Sequence, residues 1–277
     1  MKSICIKTNN SNYLEYLLSE LKNSDFKNIY FSENQFKLYK NIIIHYKGIN
    51  YNDFFAEISS FCSLLVIDEV EKSLFNKLLI QNYFYFDLRD RKEIIEICFE
   101  LLSSDFAIKF NEKYNLLYNS FFDFISNNKV IFLDGFINFR IKDYISFLDK
   151  ILQEAIDIFI LEKEYLEFIS LLKLYINSTP PLSNIVYLIY FKDEPILLDE
   201  NKNILKITTS IEKAKYLSDI SFSSNDYVLN TLLNLLPKTI YLELLDNNYP
   251  HEFINTLSLV FDDRLKLLKE NSNKILH

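Results

Sequence analysis

The spacing of apolar residues in the first part of the chain switches between the periods of strands and helices. Residues 3–8 alternate as a strand does, and apolar positions three and four apart then predict a helix that begins after Ser11, its expected cap. Two further strands are predicted at 29–31 and 38–46, and a second helix at 49–61. The first part of the chain is therefore expected to form a lobe with a βαββα order of elements.

The middle of the chain is predicted to be mostly helical. Helical spacing continues from residue 61 to 102, with a break at the aromatic run 83–86 and Asp87 as the cap of the next helix, and it resumes at 113–126. A strand at 130–133 then leads to Gly135, one of only two glycines in the chain, where a turn or bulge is expected.

A long helix is predicted over residues 141–177, because apolar residues recur there at helical spacing and no proline occurs before Pro180. Additional apolar positions widen its stripe until most of the circumference is hydrophobic, namely Ile156, Ile160, Leu161, Leu166 and Leu171. A helix of this kind is expected to be central and covered on several sides.

The last part of the chain alternates helices and strands. Pro180 and Pro181 mark a boundary, after which residues 184–191 and 196–198 predict a hairpin and residues 204–208 a third strand. Helices are predicted at 226–236 and 250–261, and strands at 239–244 and 265–268 that can pair in parallel.

These elements define an α+β fold in three segments. An N-terminal α/β lobe with its following helices occupies 1–105, a central helical segment occupies 106–177, and a small C-terminal α/β lobe occupies 178–277. The order of elements at the N-terminus resembles most of a ferredoxin-like split unit.

Composition and charge exclude several classes of protein. The net charge of −8 argues against nucleic acid as a partner, although residues 1–52 carry a small basic excess. No apolar run reaches the length of a membrane span and no signal peptide begins the chain, so membrane insertion is not expected and the predicted location is the cytoplasm. The three cysteines are far apart in apolar surroundings and are expected to be free thiols.

Motifs for cofactors and metals are missing from the sequence. Walker and dinucleotide-binding loops need closely spaced glycines, whereas Gly48 and Gly135 are far apart. Histidine and cysteine pairs at zinc-ligand spacing do not occur either. No cofactor and no catalytic residue is therefore predicted.

A set of carboxylates offers one alternative. Glu154, Asp157 and Glu164 can share a face of the long helix, and together with Asp134 they could hold a Mg²⁺ ion for hydrolysis of a phosphoester. The competing interpretation is that these residues form only the solvated face of the helix.

The residues singled out for binding lie between the strand at 130–133 and the long helix. They are Asp134, Phe136, Asn138, Phe139 and Arg140. Arg140, one of four arginines, is expected either to pair with a carboxylate such as Glu162 or Glu164 or to bind an anionic ligand or partner carboxylate. Phe136 and Phe139 are expected to place aromatic rings on one face, and an exposed pair would mark an interface.

The same region resembles a known family. The motifs are residues 134–140 (Asp-Gly-Phe-Ile-Asn-Phe-Arg), Asp143-Tyr144, residues 155–157 (Ala-Ile-Asp) and residues 162–172, and together they are similar to the core signature of the YtxC family of sporulation proteins. The resemblance implies a protein of endospore-forming bacteria with a role in sporulation and no defined activity or cofactor. Many members carry a cysteine-rich tail after a Val-Phe-x-x-Arg segment; that segment is present at 260–264, but residues 265–277 contain no cysteine. A metal or redox role of the tail is therefore not carried over.

Two main hypotheses follow, beside a weaker third one, nucleic-acid binding through the basic N-terminal portion with strongly salt-dependent affinity. The first is a non-enzymatic interaction or regulatory protein that binds a protein partner through residues 134–140, with self-association left open. The second is a metal-dependent phosphoester hydrolase that uses the four carboxylates. The sequence identifies neither the partner nor the stage of sporulation.

Overall fold

The computed structural model describes residues 1–35, 39–192, 194–205, 223–246 and 248–268. The chain divides into two compact units, Met1–Leu161 and Glu162–His277. Helices and two mixed sheets make up the described residues, so the predicted α+β class is confirmed. The division into three segments at 105 and 177 stays a prediction.

The sheet of the first unit has the strand order β2-β3-β1-β4. Strands β1 and β2 each pair antiparallel with β3, so they run parallel to one another with β3 between them, as in the predicted split arrangement. Strand β4 extends the sheet by pairing parallel with β1. The strands are β1 (Lys2–Thr8), β2 (Ile29–Gln35), β3 (Lys40–Tyr46) and β4 (Val130–Phe132).

Helices of the first unit pack their apolar sides into one core that also covers one face of this sheet. Asp87 caps α4 as predicted, since its side chain accepts hydrogen bonds from the backbone of Arg89 and Asp90. The prediction for α1 was wrong by one residue, because Asn10 and not Ser11 is the cap. The helices before β4 are α1 (Ser11–Asn23), α2 (Tyr51–Leu65), α3 (Glu71–Asn82), α4 (Leu88–Ser103) and α5 (Phe106–Asn127), with a π-helical turn at Val66–Val70.

Two helices follow β4, namely α6 (Leu133–Phe139) and α7 (Lys142–Ser178). The turn expected at Gly135 is wrong, because this glycine lies inside α6 and no glycine has a positive φ. Ordinary helical dihedrals accommodate any residue at this position, so Gly135 is not needed for its conformational freedom. The long helix predicted at 141–177 is confirmed as α7.

The sheet of the second unit has the order β6-β5-β7-β8. The predicted hairpin of β5 and β6 is confirmed, as is the parallel pairing of β7 with β8. Ile204, from the predicted third strand, forms only an isolated bridge with Leu198, and 206–208 lie outside the described residues. The elements after α7 are β5 (Ser183–Phe191), β6 (Glu194–Leu198), α8 (Ser224–Leu235), β7 (Pro237–Leu244), α9 (His251–Phe261), a 3₁₀ turn (Asp262–Arg264) and β8 (Leu265–Leu267).

Helix α7 is not covered along its whole length, contrary to the expectation from its composition. In the first unit Tyr144, Leu148 and Leu152 are fully buried. In the second unit only Ile169 and Ile176 of this helix are buried, while several other large apolar side chains are exposed. The spacing of apolar residues predicts which side chains share a face of the helix, but it does not predict which elements pack against that face.

Candidate functional site

The segment predicted to bind a partner is held in place at three points. The backbone N–H of Asn9 donates to Oδ2 of Asp134 at 3.0 Å, and Nζ of Lys77 donates to Oδ1 of Asn138 at 2.9 Å. The ring of Phe136 is buried and stacks on Phe121 with 4.4 Å between centroids. Asp134, Phe136 and Asn138 thus fix α6 against the rest of the first unit.

Asn138, Phe139 and Arg140 are the exposed members of the segment, and of these Asn138 is already held by Lys77. Phe139 is 74% exposed at the C-terminal end of α6, and Arg140 follows it as an exposed residue. The expected exposed pair of aromatics is therefore wrong, since Phe136 points into the core. The segment is helical, so residues 136 and 139 are one turn apart, and packing on Phe121 decides which of them is buried.

Arg140 lies beside the C-terminal end of α5. Its guanidinium carbon is 6.0 Å from the ring centroid of Phe124, and a depression of about 410 Å³ next to it is lined by Ser120, Asp123, Phe124, Asn127, Asn128 and Phe136. The side-chain amides of Asn127 and Asn128 donate to carbonyls of this last turn. The pairing of Arg140 with Glu162 or Glu164 would join the two units and stays a prediction.

Negative charge surrounds Arg140 in this depression. The helix end carries partial negative charge, and Asp123 adds a full one. The guanidinium of Arg140 therefore lies in a negative electrostatic environment.

The four carboxylates of the hydrolase alternative do not form a metal site. Oδ2 of Asp134 accepts the Asn9 N–H, and Glu154, Asp157 and Glu164 are exposed on α7. Throughout the described ranges, no group of three or more His, Cys, Asp and Glu side chains is placed to hold a metal ion. The hydrolase alternative is not favoured.

A buried polar cluster, which the sequence analysis missed, lies in the core of the first unit. Nζ of Lys113 donates to both oxygens of Glu71 at 3.0 and 3.1 Å, and the Tyr144 hydroxyl donates to Oε2 of Glu71. Burial, reinforced by the Glu71 carboxylate, raises the pKa of the Tyr144 hydroxyl, which therefore stays a donor. The cluster is closed to solvent, so its polar atoms bind one another and not a substrate.

Helical spacing contains a signal for this cluster. Lys113 lies four residues before Leu117 and eight before Phe121 on the buried side of α5, and Glu71 lies on the side of α3 that carries Leu74 and Phe75. A charged residue on an apolar stripe predicts a buried partner, because an isolated buried charge is too costly. The π-helical turn just before Glu71 shifts the helix register and could not be read from periodicity.

The fold and this site define an α+β protein of two units that presents an aromatic and an arginine side chain on a firmly held helix. A family model described as the YtxC-like family matches residues 56–266, which is more than half of the chain. The chain is also 22% identical over 202 residues to a Bacillus subtilis (strain 168) protein described as uncharacterized protein YtxC, and the match spans 69% of each chain. No solved structure matches.

This chain belongs to the YtxC-like family, and the resemblance noted in residues 134–172 is thereby confirmed. Within the part of the chain that the structure describes, no helix combines the length and apolar content of a membrane span.

Proposed function

We propose that the chain is a non-enzymatic interaction protein of the sporulating cell that works in the cytoplasm and binds a protein partner through Phe139 and Arg140. Membership of the YtxC-like family supports the link to sporulation, which the resemblance to the YtxC family of sporulation proteins implies. The proposal assigns Asp134, Phe136 and Asn138 the task of holding α6 in the orientation that presents the two contact residues.

The observation that carries the proposal is the contrast within one short helix. Phe136 is almost fully buried, whereas Phe139 is 74% exposed and stands beside an exposed arginine. Aromatic and arginine side chains are enriched among the residues that dominate binding energies, particularly where they are held in place before binding. A partner that offers an apolar pocket with a carboxylate at its rim fits this pair.

The test is an affinity purification of tagged protein from sporulating cells, with Phe139→Ala and Arg140→Ala compared with wild type. We expect a stoichiometric protein partner that both variants lose, with unchanged circular dichroism. The matched control is Ile108→Ala, which removes a 71% exposed apolar side chain from α5 and should leave the partner bound.

Two results would contradict the proposal. A partner retained by both variants would exclude this surface as the binding site. A bound nucleotide, phosphoester or metal ion without any protein partner would argue against the interaction role itself.

A further inference from the structure

The core of the first unit covers one side of its sheet and leaves the other side toward solvent. Ile4, Ile6 and Ile44 are buried in the core, so their neighbours in the strands point to the opposite side. On that side Tyr30 of β2 is 52% exposed and Phe132 of β4 is 49% exposed. We call it the open face, and its side chains include Ser3, Lys7, Tyr30, His45, Val130 and Phe132.

The strand register arranges the open face in rows. Tyr30, His45 and Ser3 are paired across β2, β3 and β1, and the Ser3 hydroxyl is hydrogen-bonded to Nδ1 of His45 at 2.8 Å. Toward the other end of the sheet, Lys7 of β1 is paired with Phe132 of β4. The two exposed rings therefore lie on the outer strands, which are three strand spacings or roughly 14 Å apart.

The open face is free of negative charge and has a lysine beside each ring. Nζ of Lys47 lies 4.4 Å from the ring centroid of Tyr30, and Nζ of Lys7 lies 5.0 Å from that of Phe132. In the four strands as the structure describes them, Glu33 is the one carboxylate, and the alternation of β2 turns it to the core side. The net charge of −8 therefore does not describe this face.

We infer that the open face binds single-stranded RNA. Unstacked bases pack on exposed aromatic rings, and open sheets that carry such rings are a common platform for single strands. Tyr30 and Phe132 can each stack on a base, and the ammonium groups of Lys7 and Lys47 are placed to neutralise phosphates. Residues 1–52, which carry the basic excess of the sequence, supply three of the four strands.

The side chains between the two rings favour RNA over DNA and over a protein. The Ser3 hydroxyl and the His45 imidazole keep hydrogen-bonding capacity beyond their mutual bond, and they can use it on a 2′-hydroxyl, which DNA lacks. The centres of protein interfaces are depleted of charged residues, whereas Lys7 lies on a central strand of this sheet. A polar centre between two aromatic rings thus fits a nucleotide chain better than an apolar protein surface.

Fluorescence anisotropy of the full chain with fluorescein-labelled RNA octamers of random single-stranded sequence tests the inference. We expect Tyr30→Ala and Phe132→Ala each to weaken binding about 10-fold, because each variant removes one stacking surface. The matched control is Phe84→Ala, which removes a 75% exposed ring from the turn between α3 and α4 and should leave the affinity unchanged. Random DNA octamers should bind more weakly than the RNA.

Salt dependence gives a second measurement that does not rely on the aromatic variants. In a plot of log affinity against log salt concentration, the slope should become shallower by about 0.7 in Lys7→Gln and in Lys47→Gln, because each removes one phosphate contact. Lys150→Gln removes an exposed lysine of α7 in the same unit and should leave the slope unchanged.

Absence of RNA binding at low salt would overturn the inference, as would an affinity that neither Tyr30→Ala nor Phe132→Ala lowers, or equal binding of RNA and DNA. Loss of a protein partner from the affinity purification in Tyr30→Ala would overturn it in favour of a protein interface. The inference does not depend on the proposed partner site, since Phe139→Ala is expected to leave RNA binding unchanged.

Discussion

The two halves of α7 have similar apolar content but different surroundings. Residues 142–161 bury Tyr144, Leu148 and Leu152 in the core of the first unit, and Tyr144 also completes the polar cluster with Glu71 and Lys113. Residues 162–178 bury Ile169 and Ile176 and leave other large apolar side chains, such as Leu171 and Leu174, exposed to solvent. Apolar periodicity therefore predicts that a helix forms. Which of its apolar residues are buried, and so stabilise the fold, depends on the elements that pack against it.

The largest effect is expected from breaking the polar cluster that anchors the first half. Lys113→Met should lower the free energy of unfolding by about 3–5 kcal/mol, because Glu71 would remain as a buried charge without its cationic partner. Urea unfolding measures the change. The double variant Glu71→Gln with Lys113→Met should recover part of the loss, and a loss below about 1 kcal/mol for Lys113→Met would contradict the role of the ion pair.

The next largest effect is expected when a leucine in each half of α7 is replaced by alanine and the losses of stability are compared. Leu148→Ala should cost about 2–5 kcal/mol, since it creates a cavity in a closed core. Leu166→Ala removes a 58% exposed side chain from the second half and should change the free energy of unfolding by no more than about 0.5 kcal/mol. Similar losses for the two variants in thermal or urea unfolding would show that the second half is covered as well.

Alkaline pH should weaken the core against which the first half packs. Burial raises the pKa of the Cys62 thiol to about 12, and burial together with the nearby Glu71 carboxylate raises that of Cys98 to about 12. The unfolded chain ionises these thiols near pH 9, so their contribution is complete below that pH and is lost progressively between about 9 and 12.

The loss should reach roughly 1 kcal/mol per thiol at pH 10. Urea unfolding at pH 8 and pH 10 checks this value. Between these two pH values, the free energy of unfolding of Cys62→Ala should fall by roughly 1 kcal/mol less than that of the wild type. An identical drop in the variant would mean that the Cys62 thiol ionises as readily in the folded protein as in the unfolded chain.

Among the charged pairs, the smaller effect is expected at the ion pair of the second half. Lys173 and Asp262 are 3.3 Å apart on the surface, so Lys173→Ala should cost less than about 1 kcal/mol, and added salt should reduce the difference. If Lys173→Ala lowered the free energy of unfolding as much as Lys113→Met does, the exposed ion pair would contribute as much to stability as the buried one, and the expected difference between them would be wrong.

Local signals in the sequence predicted most of the elements. The cap at Asp87, the hairpin of β5 and β6 and the length of α7 depend on neighbours in the chain and were predicted well. The predicted helix at residues 113–126 began too late, since α5 begins at Phe106. No capping side chain marks this start, because Asp105 precedes the helix with a positive φ and makes no side-chain cap hydrogen bond.

The candidate site was predicted only in part. Residues 134–140 were identified as a unit, but their helical conformation and the burial of Phe136 depend on Phe121 and Phe124, which come from α5. The anchoring of Asp134 by Asn9 and of Asn138 by Lys77 joins residues distant in sequence. Spacing along the chain carries no information about such contacts.

The sequence by itself determined the periodicities, the helix and strand order, the free cysteines and the family, because each depends on residues close together or on a motif read in order. Only the tertiary structure decided that β4 joins β1, that Glu71 meets Lys113 and Tyr144, and that the second half of α7 keeps an apolar side in solvent. These outcomes depend on which surfaces meet after the chain folds. Burial and pairing are properties of that three-dimensional packing, whereas helix and strand propensities are properties of short stretches of chain.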